Sequence, residues 1–387
     1  MNGRMPLRQD GVGLYLHIPF CERRCRFCAF FTRGYQDDRV AAFVADLVAE
    51  IRLAAGAWLL RGRPVETVYF GGGTPTTLSA EQLLTILEAC RQSFDVTPTV
   101  EITIEANPAG VEKTDLRALR AGGINRISFG AQSFDEADLE RAGTPHHVED
   151  IALAIRTARQ ASFSNLSLDL MYGFPDHSPA RWLATLDAAI ALEPDHLSFY
   201  GLTLEEGTSF YREAQQGCLT VPGEDTMADL YRIGRERLTA AGYLQYEVSN
   251  FARPGYACRH NLGYWTDREW LGFGPSAHSY LDGDRFSHVE SLDEYRRLVT
   301  SGLAPVAERE TGTPDLRLRE AMAFGLRTVE GVRVSPLARR YRLDPIERFR
   351  RPIERLTREG WLAWEGERLR PSPAGMMMAD ELAIAFL

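Results

Sequence analysis

Six short runs rich in β-branched and aromatic residues recur between residues 13 and 201, each parted from the next by a longer stretch of helical periodicity. They read "GLYLHI", "ETVYF", "VEITIEA", "NRISFGA", "LSLDLMYG" and "HLSFYG". The helical stretches include 37–54, 80–93, 114–121 and 179–192. Strands spaced by helices predict βα units on a parallel sheet. Six such units suit an α/β fold with an open, partial (β/α)6 barrel of the TIM type better than a closed eight-fold one.

Polar residues that sit oddly in those strands gather at one end of each. They are the cysteine loop after the first, Gly71 to Thr74 after the second, Glu105 and Asn107 after the third, Gln132 after the fourth and Asp169 near the end of the fifth. That edge is where parallel α/β folds bind ligands.

The regular alternation ends at Tyr200. We divide the chain into a tail (1–12), the barrel (13–205), an extension rich in Gly, Pro and aromatics (206–313) that would wrap the barrel or cover its mouth, and a small C-terminal domain (314–387). In the last, helices at "DLRLREAMAFGL", "PLARRY" and "DPIERFRRPIERLTREG" precede a hairpin-like "WLAWEGERLRPS", which predicts a winged-helix-like α+β domain. No stretch reaches the ~20 apolar residues of a membrane span, and "MNGRMPLRQD" lacks a signal-peptide core, so we expect a cytoplasmic protein. A formal net charge of −9 argues against a whole-surface nucleic-acid binder.

Of six cysteines, Cys21, Cys25 and Cys28 form a CxxxCxxC run. A structural zinc would want four Cys or His ligands, and His17, the available fourth, lies on the preceding strand. A redox pair lacks thioredoxin-like surroundings. The remaining alternative is a four-iron cluster held by three thiolates with one iron open, and Phe20, Phe27, Phe30 and Phe31 would shield it from water. Cys90 reads as a core residue in its helix.

With a Gly-rich turn after the second strand, the triplet resembles the radical S-adenosylmethionine (SAM) superfamily. "LYLHIPFC", "YFGGGTPT", "IEANP", "RISFGAQSF", "LDLMYGFP", "YEVSNFA" and "HNLGYW" narrow the resemblance to its HemN/HemW group over residues 14–280. The resemblance implies a [4Fe-4S] cluster on Cys21, Cys25 and Cys28, with SAM on the fourth iron and reductive cleavage to a 5′-deoxyadenosyl radical. It also implies SAM contacts from Tyr15, Phe27, Gly72, Gly73, Thr74, Glu105, Gln132 and Asp169. One departure is Thr144, where the family often carries an Arg of the carboxylate clamp.

Within the group, HemN-type sequences extend the motif to CxxxCxxCxC after a longer N-terminal arm. This chain has Phe30 at the fourth-Cys position and only 20 residues before Cys21, which favours the HemW side. That side implies a haem chaperone, binding haem and passing it to an acceptor protein. The alternatives are a porphyrinogen-acting radical SAM enzyme (coproporphyrinogen III dehydrogenase) and a HemN-like methyltransferase.

"CRHNLGYW" resembles the HNxxYW motif associated with haem binding. It implies His260 as axial ligand, with Asn261 beside it and Tyr264 and Trp265 stacked on the porphyrin, while Arg253 or Arg259 could pair with propionates. A histidine held by ordinary hydrogen bonds in an aromatic-lined lid is the other reading. Cys258 reads as a buried structural thiol, His278 as a candidate second ligand, and His146 and His147 as solvated loop residues.

The C-terminal arginines (339, 340, 342, 348, 350, 351, 355 and 358) alternate with Glu347, Glu354 and Glu359, as on a solvated helix. We expect no nucleic-acid partner. The patch suits docking on an acceptor protein or a membrane surface, and a homodimer fits as well.

Overall fold

The computed structural model describes residues 10–57 and 59–387, so residues 1–9 of the expected tail lie outside it. The six expected strands form as β1 (Val12–Ile18), β2 (Val65–Gly72), β3 (Val96–Ala106), β4 (Arg126–Gln132), β5 (Leu166–Tyr172) and β6 (His196–Gly201). They pair in parallel in chain order. The intervening helices are α1 (Asp37–Gly56), α2 (Ala80–Ser93), α3 (Leu116–Ala121), α4 (Glu136–Ala142), α5 (Val148–Gln160) and α6 (Pro179–Ala191). Local chemistry sets where they start. Ser79 and Gln82 form a reciprocal capping box on α2, Asp115 caps α3, and Ser178 with Pro179 opens α6.

The strands alternate strictly. One face carries Leu14, Leu16, Val68, Phe70, Ile102, Ile104, Ile127, Phe129, Leu166, Leu168, Leu197 and Phe199, all in a core shared with Phe43 and Leu47 of α1, Ile86 of α2, Ile151 of α5 and Trp182 of α6. Each such side chain contributes roughly 1.5–3 kcal/mol by leaving water. The other face carries Tyr15, Thr67, Tyr69, Glu101, Thr103, Glu105, Arg126, Ser128, Ser167, Asp169, His196 and Ser198. Parallel sheets covered on both faces are normally apolar throughout. A polar inner face therefore marks a barrel built around a ligand rather than around a packed interior.

The extension reaches the rim through Phe210, which shares an apolar cluster with Phe27, and otherwise continues the sheet. It adds β7 (Asn250–Ala252) antiparallel to β6, with the short edge strand Leu244–Gln245 antiparallel to β7, and β8 (Trp270–Phe273) parallel to β1, followed by three antiparallel strands, giving a twelve-stranded sheet. Between β7 and β8 lies a helix, Arg259–Trp265, packed against the starts of β1 and β2 and the middle of β3; we call it the floor helix.

Residues beyond 313 hold a separate apolar core that includes Leu318, Tyr341, Leu356, Leu369 and Phe386. The helix expected over 344–360 is two, Pro345–Arg348 and Arg350–Arg358, broken at Phe349. Pro352, within the first turn of the second helix, has no N–H to carry one ladder across the break. The hairpin strands Leu362–Glu365 and Arg368–Pro371 pair antiparallel, and Val332–Arg333 joins them as a third. Several C-terminal arginines are matched by carboxylates, as in Arg348 with Asp315 and Arg355 with Glu359.

Candidate functional site

Cys21, Cys25 and Cys28 line one cavity of about 380 Å³ at the C-terminal end of the strands. Their loop is held from three sides. The N–H groups of Gly73 and Thr74 donate to the carbonyls of Ile18 (2.8 Å) and Phe20 (2.7 Å), that of Arg26 to Ala142 (2.8 Å), and that of Phe210 to Arg26 (3.1 Å). The Gly-rich turn is thus a clamp. A Cβ on Gly73 would stand 2.6 Å from the Phe20 carbonyl oxygen, and Gly72, at φ +108, would meet the His17 ring at 2.7 Å.

Burial raises all three thiols, that of Cys25 to about 12, while the Thr74 hydroxyl donates to Cys21 Sγ at 3.6 Å. Burial disfavours the thiolate form here, and a bound cation would favour it. Among the described residues no group of three or more His, Cys, Asp or Glu could hold a metal ion. In a cluster each thiolate takes its own iron, so this donor set fits a cluster. His17 is no free ligand, since its ring nitrogens bond Tyr15 Oη (3.3 Å) and the Phe31 carbonyl (3.0 Å).

Phe27, Gly72, Gly73, Thr74, Glu105, Gln132 and Asp169 line the same cavity. Glu105 accepts from Tyr69 Oη (2.8 Å) and the Gly72 N–H (3.2 Å), and burial raises its carboxyl to about 7. Asp169 accepts from Ser128 Oγ at 3.1 Å and is raised by burial as well. Neither carboxylate has a cation bonded to it among the described residues, which suits a cationic ligand. Gln132 holds φ +64 at a bulge in β4, a strained backbone that aims its amide across Gly130. Tyr15 stands behind the lining, stacked on Tyr69 at 6.2 Å. Thr144 is turned inward, its hydroxyl donating to the carbonyls of Leu139 (3.3 Å) and His146 (3.1 Å), and brings no charge to the rim.

The floor helix gives the "HNLGYW" residues different surroundings from those expected. His260 is 3% exposed; its Nδ1 shares a hydrogen bond with Thr67 Oγ1 and its Nε2 with Tyr264 Oη, both at 2.8 Å. Its ring stacks on Tyr69, and burial lowers it to about 3. It presents no free nitrogen to iron. Tyr264 lies edge-on to Trp270, and Trp265 packs edge-on to Phe324 with Arg327 over its ring, and neither lines the cavity. Only Asn261 of the four lines the cavity. Cys258 is buried and its thiol donates to Glu101 (3.4 Å). His146, expected in solvent, is buried with Nε2 on the Ala131 carbonyl (3.0 Å), whereas exposed His147 caps α5.

Tyr69, Arg126, Ser128, Ser198 and Tyr200 also line the cavity, and none of them stood out in the sequence. Their signal is the polar member of each alternating pair, which reads as no more than a strand-end feature until the inner face of the barrel is known.

Residues 15–189 match the family model of the radical SAM superfamily, and residues 313–378 that of the HemN C-terminal domain. A protein named "Heme chaperone HemW" from Mycobacterium tuberculosis (strain CDC 1551 / Oshkosh) is 36% identical over 391 aligned residues, covering 100% of this chain and 97% of the relative. The chain belongs to the HemW family of radical SAM proteins. Another HemW, from Bacillus subtilis, is 32% identical and covers 96% of this chain and 98% of its own. The structure of coproporphyrinogen III oxidase (HemN) from Escherichia coli superposes with a TM-score of 0.84 at 24% identity, over 98% of this chain and 91% of that one, which shows the shared fold. Radical SAM membership implies a [4Fe-4S] cluster and SAM, and the residues above fit both.

Proposed function

We propose that this protein is a haem chaperone that binds haem and passes it to an acceptor protein, with a [4Fe-4S] cluster and SAM held in the barrel. The observation that carries this reading is the end-to-end likeness to relatives named heme chaperone HemW, joined to Phe30 where a fourth cysteine would stand. Phe30 is 67% exposed at the cavity wall.

Cys21, Cys25 and Cys28 would hold the cluster, and Phe27, Gly72, Gly73, Thr74, Glu105, Gln132 and Asp169 would surround SAM with Tyr15 as backing. When bound, the pair supplies one-electron chemistry at a site left open on the cluster. The chain's own part is to orient and to shield. Glu105 and Asp169 offer carboxylates to an ammonium or to ribose hydroxyls, and Phe27, packed into an apolar cluster, keeps water from the thiols. His260, Tyr264 and Trp265 brace the floor helix in this reading, and Asn261 reaches the cavity.

Among the described residues no helix is long and apolar enough to cross a membrane. The reading assigns the protein to the cytoplasm, with the acceptor as its partner and a homodimer as its candidate assembly.

Anaerobic titration of the cluster-reconstituted protein with haem, followed in the Soret region, tests it. A saturable, stoichiometric shift is expected, retained in His260→Ala. A linear change without saturation overturns the reading.

A further inference from the structure

We propose that haem binds across the mouth of the barrel, its macrocycle laid against Phe30 and Tyr200 and its propionates held by Arg23 and Lys113. The inference rests on the chaperone reading and supplies the site that His260, with both ring nitrogens bonded, does not.

Among the described residues four large aromatic side chains are exposed: Phe30 (67%), Tyr35 (41%), Tyr200 (41%) and Trp364 (40%). Exposed rings scattered singly need no explanation, but three of these four gather at one place. Phe30 and Tyr200 line the cavity that holds the cysteines. Tyr35 lines a second cavity, of about 630 Å³, that shares Arg23, Thr74 and Asn107 with the first. Phe30 lies on the loop after β1 and Tyr200 at the end of β6, the first and last strands of the parallel set, so the two rings flank the opening. The first cavity, about 380 Å³, is near the lower end of the roughly 300–1,000 Å³ that encloses one small ligand. With SAM inside, a further ligand has to lie over the mouth, where a wide planar ring meets these aromatic faces.

The second cavity supplies the charge. Arg23 and Lys113 line it, and neither side chain has a hydrogen bond or ion pair among the described residues. Three acids line it too: Asp115 is spent on the cap of α3, Glu81 sits in the first turn of α2, and Glu22 precedes Arg23. Two unpaired cations beside an aromatic mouth match the two carboxylates that haem carries on one edge. No described histidine lines either cavity, so affinity should rest on stacking and charge rather than on an axial imidazole.

Anaerobic haem titration of the cluster-reconstituted full chain, followed in the Soret region, tests the site. Phe30→Ala and Tyr200→Ala should each weaken binding roughly fivefold or more, and Trp364→Ala, on the C-terminal hairpin, should leave it unchanged. Haem dimethyl ester should bind the parent roughly tenfold more weakly than haem does, and the gap should close to about twofold in the Arg23→Gln, Lys113→Gln double variant. Iron content and urea midpoint at the parent's values report that each variant is intact. Affinities equal to the parent's in Phe30→Ala and Tyr200→Ala overturn this site while the chaperone reading stands. A parent that takes up no haem overturns both.

Discussion

The Glu101 carboxylate, from the middle of β3, accepts the backbone N–H of His260 at 3.0 Å and that of Arg259 at 2.9 Å. The floor helix has no side-chain cap from its own N-cap residue, Cys258, so a strand residue far away in sequence supplies it. Glu101→Gln keeps the shape and removes the charge from this cap. It should cost about 2–4 kcal/mol in urea unfolding, because the lost bonds are buried and charge-assisted. A variant as stable as the parent would show that the helix is held by packing alone.

The clamp between the Gly-rich turn and the cysteine loop leaves no room for a methyl group at Gly73, where a Cβ would lie 2.6 Å from Phe20 O and 2.9 Å from Ile18 O. Gly73→Ala should therefore push the loop outward, at about 1–3 kcal/mol, and retain less iron after anaerobic reconstitution. Gly34→Ala is the control. A Cβ there meets nothing within 4 Å, and iron content should stay at the parent value.

Glu105, raised by burial to about 7, is mostly ionised at pH 8 and mostly neutral at pH 6. SAM is cationic at its sulfonium and ammonium groups, so its affinity should fall as pH drops through 7. Calorimetric titration from pH 8 to 6 should show the loss, and Glu105→Gln should flatten the profile while binding more weakly at pH 8. A parent profile that is already flat would remove Glu105 from contact with the cation.

Stability in acid depends in part on buried imidazoles, of which burial lowers five, His146 among them. Burial lowers His17 and His177 to about 4 and His260 to about 3, and holds His196 well below its usual value. Unfolded histidine takes its proton near 6.5, so below that pH the unfolded chain binds more protons and the folded state loses stability, until the folded values are reached. Glu105 and Glu247, both raised to about 7, act in the opposite sense and favour the fold as pH falls from 7 to 4.5. A tenfold change in proton affinity is worth about 1.4 kcal/mol at each group, and because burial also raises Glu50, Asp138 and Asp169, the imidazole share is read as a difference between the parent and His177→Asn. The parent's denaturant midpoint should fall more steeply from pH 6.5 to 4 than that of His177→Asn, and parallel profiles would contradict the burial described for that ring.

Much of the barrel was legible because its determinants are local. The six strand runs, the helix at 80–93 and the C-terminal hairpin carry their own periodicity and caps. The cysteine loop and Gly-rich turn were legible as motifs, although the reason for the glycines, close approach of the Phe20 and Ile18 carbonyls, needed the fold. Arg126 and Glu101 were not singled out, since an isolated Arg or Glu at a strand position reads as surface until its neighbours are known. His260 shows the same limit from the other side. Thr67, its partner across the barrel, is 193 positions away, so no window of sequence reveals that its ring is already bonded.

The central claim is that three thiols at the mouth of a polar barrel hold a cluster with one coordination site left for SAM. Electron paramagnetic resonance of the reduced, reconstituted protein with and without SAM tests it most directly. The account predicts about four irons per chain, lost in Cys25→Ala, and a spectrum that changes when SAM is added. A spectrum identical with and without saturating SAM, on protein that carries its full iron, would contradict it.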